Sequence, residues 1–160
     1  MMNCKREAEV WERVMAASAE CPMPVKKTMS EGMTAQQLME LLQGELLDVC
    51  TYQTLAVRVK KEARRCLWRL AQEERQHYRK LEAVYYLMTG QRPCPDRPKM
   101  PCVACTNEEL RRRYQIEVAG AAKYHAMAER AGSFASVFHC LAHEEERHSR
   151  MILELLQHCL

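Results

Sequence analysis

Hydrophobic residues recur at three- and four-residue intervals, the period of an α-helix, over four long stretches of the chain. Leu38, Leu41, Leu42, Val49, Tyr52 and Leu55 form the first stripe. It is opened by Thr34 with Gln37 three residues later, a capping-box pattern, and runs to about Val59. The charged run Lys60-Lys61-Glu62 then predicts a tight turn. A restarted stripe of Leu67, Leu70, Tyr78, Leu81 and Tyr85 predicts a second helix from about Ala63 to Thr89, with Gly90 as its C-cap. Residues 91 to 105 contain four prolines, which exclude a continuous helix there. Thr106 with Glu109 reads as another capping box and opens a third helix ending near Ala131. Gly132 closes it, and Ser133 caps a fourth helix that runs nearly to the C-terminus. Ahead of these stretches, Val10, Trp11, Val14 and Met15 predict a short helix over residues 5 to 19, ended by Cys21-Pro22-Met23-Pro24.

The expected architecture is all-α: an N-terminal helix and linker over residues 1–33, then one bundle over residues 34–160. Only five glycines among 160 residues, with few β-branched residues, agree with helix throughout. Two helical hairpins joined by one long crossover have the connectivity that a ferritin-like four-helix bundle requires.

The formal charge of +3 is too even to expect a nucleic-acid partner. Two basic clusters, Lys60-Lys61 with Arg64-Arg65 and Arg111-Arg112-Arg113, read as solvated helix ends and faces. No run approaches the ~20 apolar residues of a membrane span. The charged start of the chain lacks the apolar core of a signal peptide, so a cytoplasmic protein with no membrane partner is expected. Nine cysteines, an odd number, cannot all pair within one chain, and in a reducing compartment most should be free thiols. Cys50, Cys66 and Cys140 fall within helical stretches and should behave as small apolar residues. Cys102-Val103-Ala104-Cys105, with Cys94 nearby, permits a redox pair or half a zinc site, although reduced thiols in a surface loop are the simpler expectation. His125, His139, His143 and His158 read as surface or satisfied core residues.

The chemistry lies in a repeated motif. The second long helix contains Glu74-Arg75-Gln76-His77 and the fourth contains Glu145-Glu146-Arg147-His148, both Glu-x-x-His. A spacing of three residues places both side chains on one helical face. In the first helix Glu45 precedes Tyr52 by seven residues, and in the third Glu117 precedes Tyr124 by seven. Seven residues is nearly two turns, so each tyrosine shares a face with its carboxylate. Glu45 and Glu117 also sit among apolar neighbours, where an isolated carboxylate is costly unless a cation compensates it. The order, spacing and offset match in both halves of the chain. They predict a metal centre held by Glu45, Glu74, His77, Glu117, Glu145 and His148.

Across about residues 34 to 158 the sequence resembles the ferritin-like domain of the rubrerythrin family. Arg69-Leu70-Ala71-Gln72-Glu73-Glu74-Arg75-Gln76-His77 is the most similar segment. The resemblance implies two iron ions, with Glu74 and Glu145 bridging them and Glu45, Glu117, His77 and His148 as terminal ligands. Tyr52 and Tyr124 would be hydrogen-bond donors to the ligands and would belong to the catalytic machinery. Four carboxylates offset two divalent ions, and mixed oxygen and imidazole ligands suit iron or manganese. Where the family commonly has a further Glu one turn after the third-helix ligand, this chain has Gly120, so the family's redox-linked ligand exchange is not expected. No pair of Cys-x-x-Cys elements follows the fourth helix, so an external electron donor such as a rubredoxin-like protein is expected. The expected activity is reduction of hydrogen peroxide or dioxygen by a di-ferrous centre in a homodimer. A ferroxidase or iron-storage protein of the ferritin-like class is the alternative.

Overall fold

A computed structural model describes residues 32 to 158, and within them four long helices supply nearly all regular structure. They are α1 (Ala35–Ala56), α2 (Lys61–Thr89), α3 (Thr106–Ala128) and α4 (Ala135–His158). The helix expected over residues 5 to 19, with its linker, lies outside the described residues.

The helix ends follow local chemistry, sometimes differently from expectation. The Thr34 capping box forms: Gln37 N–H donates to Thr34 Oγ1 at 3.1 Å, and Thr34 N–H donates to Gln37 Oε1 at 3.0 Å. α1 stops at Ala56, slightly before the expected end. Arg64 makes the tight turn possible without glycine. Its Nε donates to the Ala56 carbonyl and its Nη2 to the Val59 carbonyl, each at 3.1 Å, satisfying groups that the helix end leaves open. α2 ends in Gly90 with φ of 70°, the left-handed cap that its sequence suggested.

α3 starts differently. Cys105 occupies the cap position, Thr106 is already helical, and the expected Thr106–Glu109 capping box does not form. Glu108 and Glu109 in the first turn instead offset the positive end of the helix dipole. Ser133 does not cap α4 directly either. It lies inside a short 3-10 turn, Gly132–Phe134, that precedes the helix.

α1 packs along α2 and α3 along α4, giving two hairpins that meet chiefly through α2 and α4. Residues 91 to 105 connect them without regular structure, and Gln43 of α1 ties this crossover down by donating to the Asp96 carbonyl at 2.7 Å. The apolar core has two parts. One contains Leu38, Leu42, Leu81, Val84, Phe138 and Leu141. The other contains Leu55, Leu67, Leu70, Leu110, Ile152 and Leu155. In all four helices the buried acidic and histidine side chains fall between these two sets, so a polar layer crosses the middle of the bundle. Among the described residues no helix is long and apolar enough to cross a membrane.

Candidate metal centre

Each helix contributes to the polar layer: Glu45 from α1, Glu74 and His77 from α2, Glu117 from α3, Glu145 and His148 from α4. All six expected ligands are buried. His77 Nδ1 lies 2.9 Å from Glu74 Oε2, 3.1 Å from Glu145 Oε1 and 3.5 Å from Glu45 Oε2. His148 Nδ1 lies 2.9 Å from Glu74 Oε1, 3.5 Å from Glu117 Oε2 and 3.6 Å from Glu145 Oε2. Glu74 and Glu145 therefore turn one oxygen toward each histidine. The two rings stack with centroids 5.1 Å apart. Glu74, His77, Glu145 and His148 form a buried group that could hold a metal ion, and Glu45 and Glu117 flank it.

The tyrosines cross between hairpins. Tyr52 donates to Glu117, and Tyr124 donates to Glu45. Helical spacing places each tyrosine on the face of its own carboxylate, but the side chain reaches the carboxylate of the opposite hairpin. Burial raises both phenol pKa values well above 10, so both remain donors.

Four further residues complete the layer, and sequence reasoning did not single them out. Glu73 Oε2 lies 3.0 Å from His148 Nε2 in hydrogen-bonding position, and Glu144 Oε2 lies 3.0 Å from His77 Nε2 without that alignment. An outer carboxylate of this kind fixes ring orientation and leaves the other nitrogen facing the centre. The signal was present, because the repeated motif is Glu-Glu-x-x-His in both halves. Arg113 and Asp48 are the other two. Arg113 was expected on a solvated basic face but is 1% exposed. It donates to Asp48 Oδ1 at 2.6 Å and to Glu117 Oε1 at 2.8 Å, and its guanidinium lies 4.9 Å from the Tyr52 ring centre. Its spacing of four residues from Glu117 was the available clue.

Several donor atoms in the layer are buried without a hydrogen-bond partner: Glu45 Oε2, both Glu74 oxygens, and Nδ1 of His77 and His148. Such orphaned groups are expensive unless something else meets them. They converge on shared space rather than aligning with one another, which fits a cation as the missing partner.

Without a metal, protons must serve instead. Burial opposes charge on His77, but Glu144, Glu145, Glu45 and Glu74 outweigh it and hold its pKa above the ordinary value. His148 is raised likewise against burial by Glu117, Glu145, Glu73 and Glu74. Burial raises Glu45 and pushes Glu145 up to about 7; against the same burial, the two histidines lower Glu74, and hydrogen bonding with Glu145 and then His148 lowers Glu117. For the four raised groups the folded protein holds protons that the unfolded chain releases, so stability falls as pH rises. For Glu145 this loss spans 4.5 to about 7, and for the histidines it begins at 6.5. Glu74 and Glu117 contribute fully above 4.5 and lose their contribution below it. Metal binding needs deprotonated ligands and has the opposite slope. Between about pH 5 and pH 8, thermal unfolding should show chelated protein weakening while metal-supplied protein gains stability. Parallel slopes would remove this account of the layer.

The layer opens sideways through a cleft of about 270 Å³ between α1 and α3. Gly44, Asp48, Gly120 and Lys123 line it, and Glu45, Glu117, Tyr124 and Glu145 form its inner wall. A Cβ on Gly120 would meet the Glu145 side chain at 3.7 Å, an ordinary contact, and one on Gly44 would meet nothing within 4 Å.

The remaining candidates stay apart from the layer. Cys94, Cys102 and Cys105 are exposed, with free thiols, and among the described residues they join no group of potential metal ligands. Cys140 is also exposed rather than core-like, and accepts from Lys80 Nζ at 3.4 Å. No family model matches this chain, and neither does any curated protein or solved structure.

Proposed function

We propose that the protein is a di-metal carboxylate oxidoreductase of the rubrerythrin kind, with its helices in a ferritin-like arrangement and two ions, iron or alternatively manganese, in the polar layer. The observation that carries this reading is the division of Glu74 and Glu145, each with one oxygen toward His77 and the other toward His148. That division makes two similar donor groups. Glu45 and His77 would complete one, and Glu117 and His148 the other. Oxygen-rich sites with one imidazole each suit iron or manganese. When bound in the ferrous state, the two ions would supply the two electrons that take hydrogen peroxide and two protons to two waters, or that begin dioxygen reduction.

The chain's own residues do the positioning. Tyr52 and Tyr124 hold Glu117 and Glu45 in place across the hairpins, and Arg113 clamps Glu117 a second time. Glu73 and Glu144 stand behind the histidines. The two apolar clusters exclude water from above and below, and the cleft beside Gly120 admits a molecule of peroxide size. Reduction back to the starting state would come from an external electron donor of the rubredoxin kind.

Metal analysis of protein purified without oxygen, with visible spectra before and after peroxide, tests the proposal. Two iron or manganese ions per chain and a new absorption on oxidation are expected, and metal-free protein that cannot be loaded would refute it. Stopped-flow mixing then separates the activities. Faster oxidation by peroxide than by dioxygen marks a peroxidase, and the reverse order marks a ferroxidase.

Gly120→Glu probes the cleft wall. Its Cβ has room beside Glu145, so the new carboxylate should reach the centre and compete with His77 for one ion. An altered spectrum and a changed oxidation rate are expected. A variant identical to the parent in both would dismiss Gly120 as a determinant of ligation.

A further inference from the structure

Outside the polar layer, a second group of metal-binding side chains gathers on the surface of the α3–α4 hairpin. His139 and His143 are four residues apart on α4, and Glu146 follows three residues later, so all three share one helical face. His125 of α3 meets them from across the hairpin. Its Nε2 lies 3.1 Å from Glu146 Oε1, and His143 Nδ1 lies 3.4 Å from Glu146 Oε2. The His125 ring is 5.5 Å from that of His143 and 5.9 Å from that of His139.

We infer that His125, His143 and Glu146 form a second metal site, separate from the buried layer, for a borderline divalent ion of the Zn²⁺ class. One ligand atom from each of the three lies within 4.8 Å of the others. A tetrahedral ion with ~2.1 Å bonds spaces its ligand atoms by roughly 3.4 Å, so small side-chain rotations suffice to close the site. Both hydrogen-bonding partners of the Glu146 carboxylate are imidazoles, where a lysine or arginine would mark an ordinary surface ion pair. Two imidazoles with one carboxylate form a set that zinc accepts with a position left over, and His139 stands close enough to approach it. This nitrogen-rich donor set also differs from the carboxylate-rich layer inside, so the two sites should sort metals differently. Bound there, the ion would tie α3 to α4.

Imidazole-ring NMR of the full chain, titrated with Zn²⁺, tests the site. The His125 and His143 signals should shift together and saturate with a common midpoint. The same shifts should persist in His77→Ala/His148→Ala, which removes the buried ligands. They should vanish in Glu146→Gln, and His125→Asn/His143→Asn should bind one Zn²⁺ fewer per chain by metal analysis. All three positions in these last two variants are partly or fully exposed, so folding should survive. Signals that do not move, that move with unrelated midpoints, or that disappear with the buried ligands would overturn the second site.

Discussion

Replacing His77 and His148 together with alanine is expected to abolish retention of both ions proposed for the polar layer and to erase their effect on melting. Both side chains are fully buried, and each presents Nδ1 to three carboxylate oxygens. A ligand that binds only the folded state at a hundred times its Kd adds about 2.7 kcal/mol. For a domain of this size that is a shift in Tm of roughly 5–10 °C per site. Wild-type protein should therefore melt well above its chelated form when loaded with iron or manganese, while the double variant should melt at one temperature with and without either of those ions. An iron- or manganese-dependent Tm that survives the double replacement would place those ions elsewhere.

The second large effect is expected at Arg113. Arg113→Met keeps much of the side-chain volume but leaves Asp48 and Glu117 without their cation inside the bundle. Removing one member of a buried ion pair typically costs about 3–5 kcal/mol, whereas a solvated surface charge rarely exceeds ~0.5 kcal/mol. Chemical denaturation of chelated protein separates the two. Burial pushes the Asp48 pKa up to about 6 against the pull of Arg113, so that carboxylate is the more readily neutralised partner. Asp48→Asn in the Arg113→Met background should accordingly recover part of the loss, and strict additivity of the two changes would show that the residues do not interact.

Arg113 also marks where sequence reasoning stops. Periodicity identifies the face on which a residue lies, and it was enough to bring Glu45, Glu74, His77, Glu117, Glu145 and His148 into one layer. It does not say which neighbour that face meets. Arg111-Arg112-Arg113 looks like a uniform basic run, yet Arg112 pairs with Glu109 on the surface while Arg113 turns inward. The tyrosines teach the same lesson: spacing placed Tyr52 beside Glu45, but packing of the hairpins gave it Glu117. At the helix ends the difficulty was competition among near-equivalent caps. Thr34 and Thr106 begin similar motifs, but Thr106 is already helical and cannot cap. Glu73 and Glu144 were legible in the doubled glutamates of the repeat, but neighbouring residues on a helix face different directions, and only the fold shows that both directions are used.

The division into two hairpins has a kinetic consequence. Backbone contacts are dense within each hairpin and sparse between them, so each hairpin can close through short-range encounters. The acidic layer is assembled only when the halves dock, since Tyr52, Tyr124, Arg113 and both histidines find their partners across that junction. Bringing four carboxylates together then belongs to the docking step, so an ion that joins them is expected to act after the hairpins have closed. The expected effect of such an ion is slower unfolding with little change in the refolding rate, and metal that speeds refolding instead would place docking before the barrier.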